Sequence, residues 1–216
     1  MTTSPSRPRL RRLSSRRTYH HGDLRRALLD AAVQLIEAQG LDAVSVRGVA
    51  KMVGVSAGAP FRHFASRTAL LTGVAEQAMD RLEEAIDQSL REARNANPLM
   101  QLRAIGTGVL GWVIANPTRF QVISARAVID FEGSSLRRRN DAIRAKMSAL
   151  MNQAAVTGLL RSGDTERYQV AARALVYGLS RMFIDGQFPS WNLNESSALE
   201  ESVAILDQFI SCIKAQ

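Results

Sequence analysis

The sequence predicts an all-α protein, with an N-terminal three-helix helix-turn-helix head and a larger C-terminal helical body. Three observations carry that prediction. Apolar residues recur at three- and four-residue spacing through most of the chain after residue 20. No stretch of useful length alternates apolar and polar residues as a half-buried strand would. Glycine and proline fall at 40, 54, 98, 117, 163, 186 and 189, cutting the pattern into pieces of helical length. At 216 residues, 46% of them hydrophobic, the chain can bury a core as one domain or two small ones.

The first eighteen residues stand apart. "MTTSPSRPRLRRLSSRRT" holds Arg7, Arg9, Arg11, Arg12, Arg16 and Arg17, no acid, and little that could enter a core. Such a segment is expected to be a basic arm, disordered when free. The net charge of +8 belongs to this arm and the following head, because residues 71–216 are electrically balanced. A polyanion partner for the first third explains the imbalance; a solvated tail that only aids solubility is the plainer alternative. The single cysteine, Cys212, cannot form an internal disulfide, which fits a reducing compartment. Apolar runs such as "GVLGWVIA", 108–115, fall well short of the roughly 20 residues needed to span a bilayer. No apolar segment follows the N-terminal arginines as a secretory signal requires. The expectation is a soluble, cytoplasmic protein with no membrane partner.

The first helix is expected from about Asp23 to Gln39. Leu24, Ala27, Leu28, Ala31, Leu35 and Ile36 make one apolar face, with Asp23 as N-cap and Gly40 as the stop. A short second helix runs from about Ser45 to Val53, capped by Ser45, with Val46, Val49, Ala50 and Val53 inward. Gly54 breaks it, Val55 plugs the gap, and Ser56 is expected to cap a third helix ending near Phe64. Two short helices joined by a tight glycine-containing turn form a helix-turn-helix pattern.

The composition of "VGVSAGAPFRHF", 53–64, has a physical reading in that pattern. A recognition helix must enter a major groove about 12 Å wide. Ala57, Gly58 and Ala59 carry almost no bulk, so the backbone can approach base edges and phosphates. Free amides at a helix start favour a phosphate. Pro60 falls in the first turn, where its missing amide removes at most one helical hydrogen bond. Arg62 and His63 supply polar or cationic contacts, while Phe64 anchors the segment to the core. Two other readings are weaker. "GVSAG", 54–58, matches a nucleophile-elbow pattern, but the elbow needs a strand before it, and helix precedes here. His20, His21 and His63 lack the cysteine or acidic neighbours of a metal site.

"YHHGDLRRALLDAAVQLIEAQGLDAVSVRGVAKMVGVSAGAPFRHFASRTALL", 19–71, resembles the DNA-binding region of TetR-type transcriptional regulators. Gly40, Ser45, Arg47, Val49, Ala50, Gly54, Val55, Ser56, Gly58, His63, Phe64, Leu70 and Leu71 match the family pattern in order. Phe61 stands where a tyrosine is usual and Arg67 where a lysine is usual. Carried over position by position, the resemblance implies DNA-facing roles for Ser45, Arg47, Ser56, Ala57, Gly58, Ala59, Phe61, Arg62, His63 and Arg67. "ALVYGLSRMFIDG", 174–186, is similar in layout to a subgroup bearing a Trp-His-Gly motif, with Val176-Tyr177-Gly178 in its place.

The head therefore spans about 19–70 and the body 71–216. In the body, helices are expected from Ser66 towards Asn95, then over 98–115, 117–130, 135–160, 164–185 and 197–214. Ser197 and Glu200 form a capping box for the last of these. Leu199, Val203, Leu206, Ile210 and Ile213 then make an apolar seam. The resemblance implies that the last two helices pair with a second copy, giving a homodimer whose two heads read a palindromic double-stranded DNA operator. Trp112, Phe120, Met147, Met151, Tyr177, Met182 and Phe183 are candidates to line a cavity for a small apolar effector. The expected function is a ligand-responsive repressor without a cofactor. A sequence-indifferent architectural DNA binder is the first alternative. A helical enzyme or carrier is the second, disfavoured because no paired-acid, nucleophile–base or metal constellation is present.

Overall fold

The structure, a computed structural model, describes residues 21–215, so the basic arm at 1–18 lies outside the described residues. Eight α-helices make up the described chain: α1 (His21–Gln39), α2 (Val46–Val53), α3 (Arg67–Glu92), α4 (Pro98–Ala115), α5 (Pro117–Ser124), α6 (Ser135–Val156), α7 (Thr165–Ile184) and α8 (Ala198–Ile213). The only extended pairing among the described residues is an isolated bridge between Leu160 and Lys214.

Local chemistry sets most helix ends. α1 begins two residues before the expected cap Asp23 and stops at Gly40, whose φ of 85° suits only glycine well. Ser45 caps α2 by accepting from the Gly48 amide at 3.0 Å. Gly54 ends α2 at a left-handed φ of 76°. Ser66 caps α3, and Asn97 and Asp164 cap α4 and α7 in the same way.

The third helix of the head is not an α-helix, which corrects the sequence expectation. Residues Ala59–Arg62 form one 3-10 turn, with Ser56 before it rather than at an α-helical N-cap. Proline explains the change. An α-helix capped by Ser56 would need the amide of residue 60 to bond the Ser56 carbonyl, and Pro60 has no amide hydrogen. Ala59 donates to that carbonyl instead at 3.0 Å, and His63 and Phe64 both donate to Pro60.

Three further boundaries differ. α5 ends at Ser124 rather than near 130, because residues 125–134 turn back to bury Ile129 and Phe131 beside the head. α6 ends at Val156, followed by Gly158 at φ 70°. Ser197 makes no capping bond to α8; Asn194 caps a preceding 3-10 turn by accepting from Ser196.

Two apolar cores share the long helix α3. The head core gathers Leu28, Leu35, Val49, Phe64 and Leu71, and it is completed by Val122, Ile129, Phe131 and Leu136 from later in the chain. The body core gathers Ile86, Leu102, Val113, Met151, Leu179 and Leu206. By length and composition α4 could cross a membrane, but it packs as the central helix of the body against α3, α6, α7 and α8. At Gly106 it meets α8 so closely that an added Cβ would lie 2.8 Å from Leu206.

The α8 seam is divided, a second correction. Leu206, Ile210 and Ile213 are buried inside this chain's own body core, while Leu199 is exposed and Val203 half-buried. The spacing showed that one face of α8 is apolar. It did not show that α4 already covers most of it.

Candidate nucleic-acid interface and body cavity

The segment between α2 and α3 is held from beneath and bare on top. Phe64 is buried in the head core, against Leu29 and Gly73, and the Arg25 guanidinium lies 5.4 Å from its ring centroid. Pro60 is buried as well. Between these anchors Ser56, Ala57, Gly58, Phe61 and Arg62 are exposed, and Ala59 and His63 are partly so. Phe61 is 45% exposed, an aromatic ring that the head core does not claim. An added Cβ at Gly58 would meet nothing within 4 Å, so the tip is as thin as its composition implies.

α2 adds polar groups beside the tip. Ser45 and Arg47 are exposed. Lys51, which sequence reasoning passed over, is exposed one helical turn beyond Arg47. The signal was present: Arg47 and Lys51 stand four residues apart, opposite the apolar set Val46, Val49 and Ala50. No acid lies on this helix.

Arg67 is engaged within the head. Its Nε donates to the Val44 carbonyl at 3.1 Å and its Nη2 to the Leu41 carbonyl at 2.9 Å, with Asp42 at 3.5 Å. The planar guanidinium thus ties α3 to the turn joining α1 and α2. Arg67, expected to face DNA, is thereby also a brace of the head, with two of its donors satisfying carbonyls at the end of that turn.

The body holds a cavity of about 1010 Å³, open to solvent on one side, between α3, α4, α6 and α7. Of the seven residues expected to line it, Phe120, Met147 and Tyr177 do. The other four do not. Trp112 and Met151 are buried in the body core away from it, Phe183 packs edge-on against Phe188 with centroids 5.9 Å apart, and Met182 is half-buried near the end of α7. Size and apolarity identified candidate core residues, but a cavity depends on which side chains fail to meet. The charged lining was missed altogether: Arg126, Arg144, Arg173, Asp141 and Glu166 all border the space. Among the described residues no cluster of His, Cys, Asp or Glu could hold a metal ion.

Head and body are joined by specific polar contacts as well as by α3. Arg119 on α5 reaches Gln77 on α3 and Asp30 on α1. The Asp130 amide donates to Thr72 Oγ1 at 2.9 Å. Arg139 on α6 pairs with Glu83 at 2.6 Å and Asp80 at 2.8 Å.

Comparison with known proteins agrees with this geometry. Residues 28–74 match the family described as bacterial regulatory proteins, tetR family. The chain is 27% identical to the nucleoid occlusion factor SlmA of Vibrio campbellii over 81% of its own length and 92% of that protein's. It superposes on a protein of unknown function from Rhodococcus sp. RHA1 with a TM-score of 0.75 and 26% identity, covering 92% of this chain and all of that one. It also shares the fold of the TetR family regulator PfmR of Thermus thermophilus, with a TM-score of 0.70, 21% identity, and 85% and 97% of the two chains covered.

Proposed function

We infer that this chain, a TetR-family regulator by its head and its all-α fold, is a sequence-specific repressor that acts as a homodimer on a palindromic operator and is released by a small effector. The family is one of DNA-binding regulators and not of enzymes. The reading rests chiefly on one observation: the tip from Ser56 to Arg62 stands exposed while Phe64 and Pro60 fix it to the head. Ser45, Arg47, Lys51 and the Ala57–Gly58 backbone would meet phosphates and base edges, with Arg62 and His63 alongside.

Dimerisation follows from how little one such head can read. Two heads one helical turn apart, about 34–36 Å, would double the contacts and impose two-fold symmetry on the site. The outward faces of α7 and α8 are the proposed pairing surface, with Leu199 and Val203 of α8 left wholly or partly open by the protomer. The body cavity supports an effector. Its wall includes Met79 and Leu82 of α3, the helix that also carries the head, so filling it would shift that helix and with it the spacing of the two tips. The protein would work in the cytoplasm, where its DNA lies.

Selection of binding sequences from random oligonucleotides by the purified full chain tests the reading. A short palindrome is the expected product, and protection without any sequence preference would overturn it. A second reading takes its cue from the similarity to nucleoid occlusion factors: action on the nucleoid as a whole instead of at promoters. Chromatin immunoprecipitation separates the two, since a repressor concentrates at few promoters.

A further inference from the structure

We propose that the body cavity takes an amphipathic anion, its apolar tail among α3 and α4 side chains and its carboxylate or phosphate head between Arg126 and Arg173. The proposal deepens the effector reading above and rests on it. The cavity, at about 1010 Å³, is at the upper end of the range for small-molecule sites. Its inner wall is apolar, built from Met79, Leu82, Ile86, Leu102, Ile105 and Val109. A ligand filling that region needs an apolar body.

The charged part of the lining sets three arginines, Arg126, Arg144 and Arg173, against two acids, Asp141 and Glu166, and the arginines are unequal. Arg144 is engaged by Asp141 at 3.5 Å, and Asp141 also faces Arg137 at 3.9 Å. Glu166 borders the cavity two helical turns before Arg173, roughly 10 Å away along α7. Arg126 and Arg173 have no carboxylate partner among the described residues. Elsewhere in the body the large interhelical arginines are closed by acids: Arg139 by Glu83 and Asp80, Arg103 by Asp207. Arg126 and Arg173 are thus two exposed guanidinium groups, without an acid partner, that border the cavity.

Each of the two is held over an aromatic ring. Arg126 lies 3.8 Å from the Phe131 centroid and Arg173 lies 5.9 Å from that of Tyr177, which in turn is 5.8 Å from Phe120. A contact with a ring face restrains a guanidinium without using its N–H donors, which stay available for bidentate bonds to a carboxylate or phosphate. Desolvation, and then repulsion from Arg126, lower the pKa of Arg173. A bound anion offsets both effects by favouring the charged guanidinium, whereas a neutral ligand offsets neither and a cation worsens the second.

The placement also supplies a route to the head. Arg126 belongs to the 125–134 segment, whose Ile129 and Phe131 complete the head core and whose Asp130 amide bonds Thr72. Arg173 belongs to α7. An anion bridging the two would tie the head-coupled segment to the wall of the body.

Calorimetric titration of the purified full chain tests this, using decanoate, decyl phosphate, decanol and decyltrimethylammonium below their micellar concentrations. One or both anions should bind, decanol about 10-fold or more weaker, and the cation weaker still. The better of the two anions names the head group. Arg126→Gln and Arg173→Gln should each weaken anion binding about 10-fold or more, and Arg173→Lys should restore part of the loss. Decanol binding as tightly as the anions, or anion binding unchanged in both glutamine variants, would overturn the proposal. If a variant fails to fold, the comparison of anion with alcohol on the unaltered chain still decides. Operator binding is measured in parallel without ligand. A chain that binds operator but none of the anions sinks this proposal and leaves the DNA reading standing.

Discussion

Arg119 Nη1 donates to the side-chain carbonyl of Gln77 at 2.7 Å, joining α5 to α3 at the level where head meets body. The same guanidinium stands 3.6 Å from Asp30 on α1. Arg119 is only 8% exposed, and burial lowers its pKa, with repulsion from Arg81 the next cause. It is therefore a buried charge held chiefly by one hydrogen bond and one looser ion pair. Arg119→Ala is expected to cost about 1–3 kcal/mol in urea unfolding, through lost packing and an orphaned Gln77 oxygen. Asp30→Ala should cost less, about 1 kcal/mol at most, because that carboxylate is half in water. The reverse order would show that the ion pair carries the joint.

The brace at Arg67 makes a different kind of prediction. Its two donors end on the Val44 and Leu41 carbonyls, so Arg67→Ala should lower thermal stability, by about 1–2 kcal/mol. Arg67→Lys should not restore it, since an ammonium cannot hold two carbonyls in one plane. Operator affinity, measured well below the melting temperature, should change little. A large loss of affinity with unchanged stability would make Arg67 a DNA contact and not a brace.

Exposed head residues should behave oppositely. Arg47→Ala and His63→Ala are expected to weaken operator binding by about 10-fold, the order of one specific contact, with melting temperature and dimerisation unchanged. Lys51→Ala should lower affinity for all sequences alike and flatten the log–log salt dependence by about 0.9 for each phosphate it no longer neutralises. Equal losses in stability would reassign these side chains to packing.

The arm at 1–18 lies outside the described residues, yet its charge yields a clear test. If all six arginines meet phosphates, deleting the arm should flatten the salt slope by about five units per chain. An unchanged slope would make the arm a bystander.

Acid sensitivity is expected at the α4–α8 contact. Asp207 has its pKa lowered, first by the hydrogen bond from Arg103 and then, against partial burial, by that residue's charge. A carboxyl with a depressed folded pKa stabilises above its unfolded value, about 3.9, and that stabilisation disappears as pH falls through the folded value. Asp207→Asn should therefore be modestly less stable than the unaltered chain at pH 6. The gap should begin to shrink in urea melts below about pH 3.9 and close once pH has passed the depressed folded value. A gap independent of pH would mean that packing, and not the ion pair, is at work.

How much of the molecule is legible in its sequence varies with the kind of interaction. The head reads closely because its signals are local: Ser45 before α2, Gly54 after it, and small residues from Ala57 to Ala59 each act within a few positions. One local effect is larger there than its size suggests. Pro60 removes a single hydrogen bond, but that bond is the one that would have nucleated an α-helix after Ser56. Arg67 escapes for another reason, since its partners lie more than twenty residues away.

The sequence by itself determined that the chain is helical, where most helices begin and end, and that a thin tip follows Gly54. Capping, backbone dihedrals and the 3.6-residue period act between neighbours, and composition encodes them directly. Tertiary structure alone decided what each apolar face meets. Leu206, Ile210 and Ile213 face α4 within the same chain, Ile129 and Phe131 cross back to finish the head core, and Arg126 and Arg173 are left facing a cavity. Apolar burial has no direction and no sequence range, so a stripe of leucine and isoleucine declares that it will be covered, and only the packing of distant helices chooses by what.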